Sequence, residues 1–263
     1  MMRRILAPRS FAAAPFVLLA HDFPDRYQLA FFTDHNSALA ALAQSEVDLL
    51  CTGYTETQRF SGGAPLKRVC TYIWGLSALL VRDAQIRDFS SLVNHDGQLL
   101  LPFTGSPLDL QVRALFKKLA PQRTIELVNG EIPEILGRLQ QGNAAAAVLP
   151  EPLATLLCEA GKAHRLGDLA GLWASAFGDV MTPQVSCFCR SDRSVAGDLM
   201  SDIDRAVLKL TMADEVCARR VAAAIEQKAE IILSALPHVI FSLPEAAEAE
   251  RLESRYGKIL DSL

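Results

Sequence analysis

The chain has 263 residues, 50% of them hydrophobic and 21% charged, long and apolar enough for one large domain or two smaller lobes. Lys and Arg number 26 against 30 Asp and Glu, with no basic block, which argues against nucleic-acid binding through clustered cations. A content of 7% aromatic residues argues against a stacking platform for single strands, and no apolar run approaches the ~20 residues needed to span a bilayer.

In chain order the pattern alternates strands and helices. Residues 3–8 form a short apolar strand. Residues 12–21 read as a helix. The apolar run from Phe11 to Ala20 faintly imitates a secretory signal behind Arg3, Arg4 and Arg9, but Pro8 and Arg9 interrupt that pattern. A strand follows at 27–32. A helix over 38–45, capped by Asn36 or Ser37, leads to a third strand at 47–52. Strand–helix–strand–helix–strand over about fifty residues implies βαβ units and a parallel sheet. Ser61 to Pro65 is a loop by composition, and 69–81 is one long apolar segment in which Gly75 allows a bend.

A second series of similar layout then begins. Strands are expected at 97–102, 125–128 and 144–149. Helices are expected at 109–119, with Leu110, Val112, Leu115, Phe116 and Leu119 apolar, and at 133–141, stopped by Gly142. Strand character returns at 184–190, followed by helices over 195–212, 214–234 and 244–260.

The turn Phe103-Thr104-Gly105-Ser106-Pro107 is the most informative site. A helix starting there offers free N–H groups and a positive dipole end to an anion, with the hydroxyls of Thr104 and Ser106 beside Gly105. Plain capping by Ser106, with Pro107 in the first turn, accounts for the same residues. Arg9 after the first strand, and Tyr54 and Thr55 after the third, lie where open α/β sheets bind ligands. Each also reads as an ordinary surface or turn residue. Trp74 walls a pocket or sits in the core. Glu151, between Pro150 and Pro152, contacts a ligand or caps a helix electrostatically.

Cys187 and Cys189 share a strand face, but no CxxC, HExxH or His-rich spacing completes a ligand set, so neither metal nor cofactor is predicted. No G-x-S-x-G elbow, GxGxxG or P-loop is present. Cys51, Cys70, Cys158, Cys187, Cys189 and Cys217 are scattered through a chain too large to need disulfide staples. They read as buried reduced thiols suited to a reducing compartment.

Three segments carry a family resemblance: ALAALAQSEVDLLCT at 38–52, GQLLLPFTGSPLDLQVRAL at 97–115 and EILGRLQQGNAAAAVLPEPLAT at 134–155. Over most of residues 3–235 the chain resembles the substrate-binding proteins of nitrate/sulfonate/taurine-type ABC importers, which have the type II periplasmic-binding fold. Two departures stand out: Ser45-Glu46 replaces a glycine region, and Ala144 or Ala145 stands where the family has an aspartate.

The resemblance implies an α/β fold of two lobes with mainly parallel sheets. Lobe one would be 1–80 with 183–263, and lobe two 81–182. Crossing strands would come from 69–81 and 184–190. It implies a ligand held by Ser10, Phe11, Gly53, Tyr54, Trp74, Thr104, Gly105, Ser106, Asn129 and Glu151, with Arg9 and Thr55 added from the strand ends. The implied function is binding of a small organic anion or pyrimidine-like solute for an ABC permease, without catalysis. Two alternatives stay open. One is a cofactor-free cytoplasmic enzyme of the menaquinone-pathway or desulfinase kind, using Glu151, Cys51 or Tyr54. The other is a ligand-sensing module acting through a partner protein. With no export signal ahead of the first strand, a cytoplasmic location is expected, or a periplasmic one if a native signal lies upstream of Met1.

Overall fold

A computed structural model describes residues 2–58, 62–179, 181–194 and 197–262. Ser61 of the expected loop and Val195 of the expected helix lie outside them. The chain divides into two units, Met1–Trp74 with Pro183–Ala249, and Gly75–Thr182 with Glu250–Leu263. The elements run β1 (Arg3–Pro8), α1 (Ala14–Asp22), β2 (Tyr27–Phe32), α2 (His35–Ala43), β3 (Leu49–Gly53) and β4 (Leu66–Gly75). Then come β5 (Ser77–Val81), α3 (Phe89–Val93), β6 (Gln98–Pro102), α4 (Pro107–Leu119), β7 (Glu126–Gly130), α5 (Ile132–Gln141), β8 (Ala146–Pro150), α6 (Leu153–Glu159), β9 (His164–Asp168) and α7 (Leu169–Phe177). The chain ends with β10 (Val185–Arg190), α8 (Gly197–Thr211), α9 (Glu215–Ile225), α10 (Ala229–Ala235), β11 (Ile240–Phe241) and α11 (Ala246–Asp261).

The first unit holds a sheet of order β11-β4-β10-β3-β1-β2. The β1–β2 and β1–β3 pairs are parallel, and β10 is inserted antiparallel between β3 and β4. The registers bring Pro8, Phe32, Gly53 and Ile73 to one edge. The second unit repeats the device with order β7-β6-β8-β5-β9. There β6 pairs in parallel with β7 and β8, while β5 runs antiparallel to β8 and β9. Its matching edge is Pro102, Gly130, Pro150 and Ser77. The α/β class is therefore as expected, in evenly mixed sheets where mainly parallel ones were implied.

Apolar packing fixes these sheets. In the first unit Ala38, Leu39 and Leu42 of α2 pack with Leu50 and Phe188. In the second, Ile135 and Leu139 of α5 pack on Leu100, Ala147 and Leu149. Each such fully buried aliphatic side chain contributes about 1.5–3 kcal/mol. Gly142 ends α5 at φ 79°, a left-handed position that favours glycine, as its place after the helix predicts.

Several expectations need correction. The 69–81 segment is two strands in different sheets, broken at Leu76. The α2 helix starts at His35, because the Asp34 carboxylate accepts the Ser37 N–H at 2.7 Å and caps the helix earlier. On α4, Leu110 is half-buried and Leu119 is 40% exposed, so the buried face is Leu108, Val112, Leu115 and Phe116. The 214–234 segment breaks into α9 and α10 at Glu226, which adopts φ 59°.

Candidate functional site

In the first unit, the turn after β1 is tied down locally. Ser10 Oγ accepts the Ala12 N–H at 3.3 Å, and Arg9 pairs with Glu226 and lies over the Phe31 ring at 4.7 Å. Phe11 is fully buried and meets Phe241 edge-on at 6.2 Å. Trp74 is also fully buried, and its indole N–H donates to the Ser242 carbonyl at 3.1 Å. Both aromatic residues are core that supports the edge. Gly53 ends β3. Tyr54 follows it, buried, its N–H donating to Gln184 O at 2.9 Å and Arg68 lying 5.3 Å from its ring centre. Thr55 is buried and its hydroxyl has no partner.

Sequence reasoning missed His35 here. The start of α2 carries it to the same edge, where Nδ1 lies 2.9 Å from Thr52 Oγ1 and the ring meets Phe32 edge-on at 5.0 Å. The signal was present in the Asp34 cap, which places the helix start one residue later.

In the second unit, the turn after β6 is built around a buried carboxylate. Gly105, at φ 69°, donates its N–H to Asp109 Oδ2 at 2.6 Å. Ser106 Oγ donates to Pro102 O at 2.9 Å and accepts the Asp109 N–H at 3.3 Å. Ser106 is thus the helix cap, and Thr104 stands exposed beside it. Asp109 already holds one N–H of the anion site that the sequence suggests. Arg113 Nε donates to Asp109 Oδ1 at 2.7 Å, and its Nη2 donates to Asn129 Oδ1 at 2.6 Å. Because that amide spends its oxygen on Arg113, Asn129 Nδ2 is left as a buried donor with no partner. Arg113 was not singled out from sequence. Its spacing of four from Asp109 along a helix is the signal that pairs them.

Glu151 lies at the end of β8, before a cis Glu151–Pro152 bond. Its Oε2 accepts the Thr155 N–H at 3.1 Å and its Oε1 is bound by Arg165. Burial disfavours the Arg165 charge, but Glu151 and Asp168 outweigh it and hold the guanidinium pKa above its ordinary value. Both Glu151 oxygens are thereby engaged in holding α6 and β9. Of the other groups named for catalysis, Cys51 is fully buried, and Tyr54 has the contacts given above. Ser77, opposite Pro150, has a buried hydroxyl without a partner. Partnerless buried polar atoms thus occur at the carboxyl-end edge of both sheets.

A cavity of about 600 Å³ lies at the opposite, amino end of the second sheet, beside Arg82, Asp83, His95 and Gln98. None of the predicted site residues lines it. Among the described residues, no group of three or more His, Cys, Asp or Glu side chains is placed to hold a metal, and no helix is long and apolar enough to cross a membrane.

No protein-family model matches the chain, and no curated protein sequence matches it. Solved structures do. An ABC transporter protein from Parabacteroides distasonis superposes with a TM-score of 0.80 at 14% identity, over 99% of this chain and 92% of that one. The periplasmic aliphatic sulphonate binding protein SsuA from Escherichia coli gives 0.73 at 17%, over 99% and 92%. The Candida albicans CA3427 product, described as having the generic periplasmic binding protein fold, gives 0.65 at 11%, over 100% and 90%. This chain has the periplasmic binding protein fold. The two inserted antiparallel strands, β10 and β5, are how this sequence builds that fold's paired sheets.

Proposed function

We propose that this chain is the solute-binding protein of an ABC-type importer and takes a small organic anion of the sulfonate or carboxylate kind. The observation that carries the reading is the buried, partnerless Nδ2 donor of Asn129, held in place by Arg113 at the carboxyl edge of the second sheet. A buried donor without a partner is costly, and an acceptor oxygen of a ligand offsets that cost. The proposed ligand-facing residues of the second unit are Thr104, Gly105, Ser106 and Asn129. Those of the first are Ser10, Gly53, Tyr54 and Thr55, with Phe11 and Trp74 packed beneath them. Glu151 supports the fold of the second unit and is not proposed as a contact.

The fold supports the transport reading, since SsuA binds aliphatic sulphonates and other structures of this fold come from ABC transporters. SsuA is periplasmic, which supports a periplasmic setting over the cytoplasmic one expected from sequence, with an ABC permease as partner. The test is calorimetric titration of the chain with alkanesulfonates, nitrate, short carboxylates and a pyrimidine. One class should bind at one molecule per chain, and Asn129→Ala should weaken it by about tenfold or more, the worth of a hydrogen bond to a charged group. Absence of binding across the whole panel would contradict the reading.

A further inference from the structure

Three cysteines lie in one row across the first sheet. Cys187 of β10 stands directly opposite Cys51 of β3 on one side and Cys70 of β4 on the other. Cys51 and Cys187 are both fully buried. Directly opposed residues of antiparallel strands have Cα atoms about 4.5 or about 5.5 Å apart, and both spacings fall inside the range a disulfide bridges, about 4.4–6.8 Å. As directly opposed residues their side chains share one face of the sheet, and the neighbouring Cys51 thiol, with burial, pushes the Cys187 thiol well above its ordinary pKa. The β3–β10 register is unbroken from Val185 to Phe188, whereas the β4–β10 register shifts between Cys187 and Phe188. The geometry favours Cys51 over Cys70 as the partner of Cys187.

We infer that Cys51 and Cys187 are a cross-strand disulfide site, oxidised when the chain folds in a thiol-oxidising environment. The chemistry is ordinary exchange with a small-molecule disulfide such as glutathione disulfide. One cysteine thiolate attacks it and expels one glutathione thiolate, giving a mixed disulfide. The second cysteine thiolate attacks the protein sulfur of that mixed disulfide and expels the other glutathione. Two protein thiols thus lose two protons and two electrons, and one glutathione disulfide becomes two glutathione thiols. In the folded chain both thiols are shielded and Cys187 is poorly ionised, so the exchange belongs to the stage at which β10 pairs with β3, or to a local opening of that pair. The bond would tie the strand that ends at Gly53 to its neighbour, across a long chain loop.

The test is refolding of the full reduced chain in a glutathione redox buffer, followed by denaturation, alkylation and peptide mapping. Folding is checked by circular dichroism. Before alkylation the expected product is a chain lighter by about 2 Da, the two hydrogens lost in forming one disulfide; after alkylation it gives a Cys51–Cys187 peptide pair and four alkylated cysteines. Cys70→Ser should leave that product intact, and Cys51→Ser or Cys187→Ala should abolish it. Six alkylated cysteines in the folded wild-type chain, or a Cys70–Cys187 pair as the main product, would overturn the inference. No ligand enters the experiment, so its outcome is independent of the proposed transport role.

Discussion

The carboxyl-end edges of the two sheets are made alike and finished differently. In the first unit the residues expected to face a ligand are largely taken up by the fold: Phe11 and Trp74 are buried, Ser10 caps a turn and Arg9 is paired with Glu226. In the second unit the corresponding edge carries a charged relay, in which Asp109 orders Gly105 and Arg113, and Arg113 orders Asn129. The first edge is stiffened by aromatic packing and leaves the Thr55 hydroxyl unspent, and the second by ion pairing that leaves the Asn129 amide donor and the Ser77 hydroxyl unspent. The same strand-end position is therefore built from aromatic core in one unit and from a charged relay in the other.

That contrast can be broken by substitution. The largest effect is expected at Trp74. Trp74→Ala should cost about 3–5 kcal/mol of stability in urea unfolding, the range for emptying a large core site. A loss under about 1 kcal/mol with abolished ligand binding would make Trp74 a recognition residue and erase the contrast. Glu151→Gln should cost about 2–3 kcal/mol, because Arg165 keeps Asp168 but loses the buried carboxylate partner. Its effect on affinity should be small, and a selective loss of binding at full stability would place Glu151 among the contacts.

Asn129→Ala should do the reverse. Stability should change by less than about 1 kcal/mol, since the orphaned donor leaves with the side chain and the lost bond from Arg113 is offset by solvent and by its remaining partner Asp109, while affinity falls. The smallest effect concerns the packing of α8 on the first sheet. Burial, together with Asp202, pushes the Tyr27 phenol up to about 12. The stabilisation from this shift is fully present below the ordinary value near 10.0 and is lost as pH rises through the folded value. Tyr27→Phe should remove that alkaline dependence, and an unchanged alkaline limb would show that the phenol does not report on α8.

The α/β alternation, the two series and the Ser106-Pro107 and Gly142 helix ends were legible because each rests on local chemistry: hydrophobic period, capping hydroxyls and glycine. The expected segment at 69–81 hid a change of sheet, because fully buried strands show continuous apolarity with no boundary in composition. The strand at 164–168 was missed because HRLGD has almost no apolar alternation. At the second edge, turn chemistry singles out Thr104 to Ser106, and Ser106 is the helix cap there. What turn chemistry does not show is that Asp109 folds back onto Gly105, or that Arg113 reaches Asn129 on another strand. The first is a side chain closing on a backbone N–H four residues away and the second a side-chain pairing between helix and strand, and together they decide which donor is left without a partner.

The most direct test of the central claim is native mass spectrometry of wild-type chain and Asn129→Ala, each incubated with the same sulfonate and carboxylate panel. The account predicts one small anion retained per wild-type chain, unchanged in mass over time, and depleted in the variant. No retained anion in either protein, or conversion of the bound compound to a new mass, would contradict it.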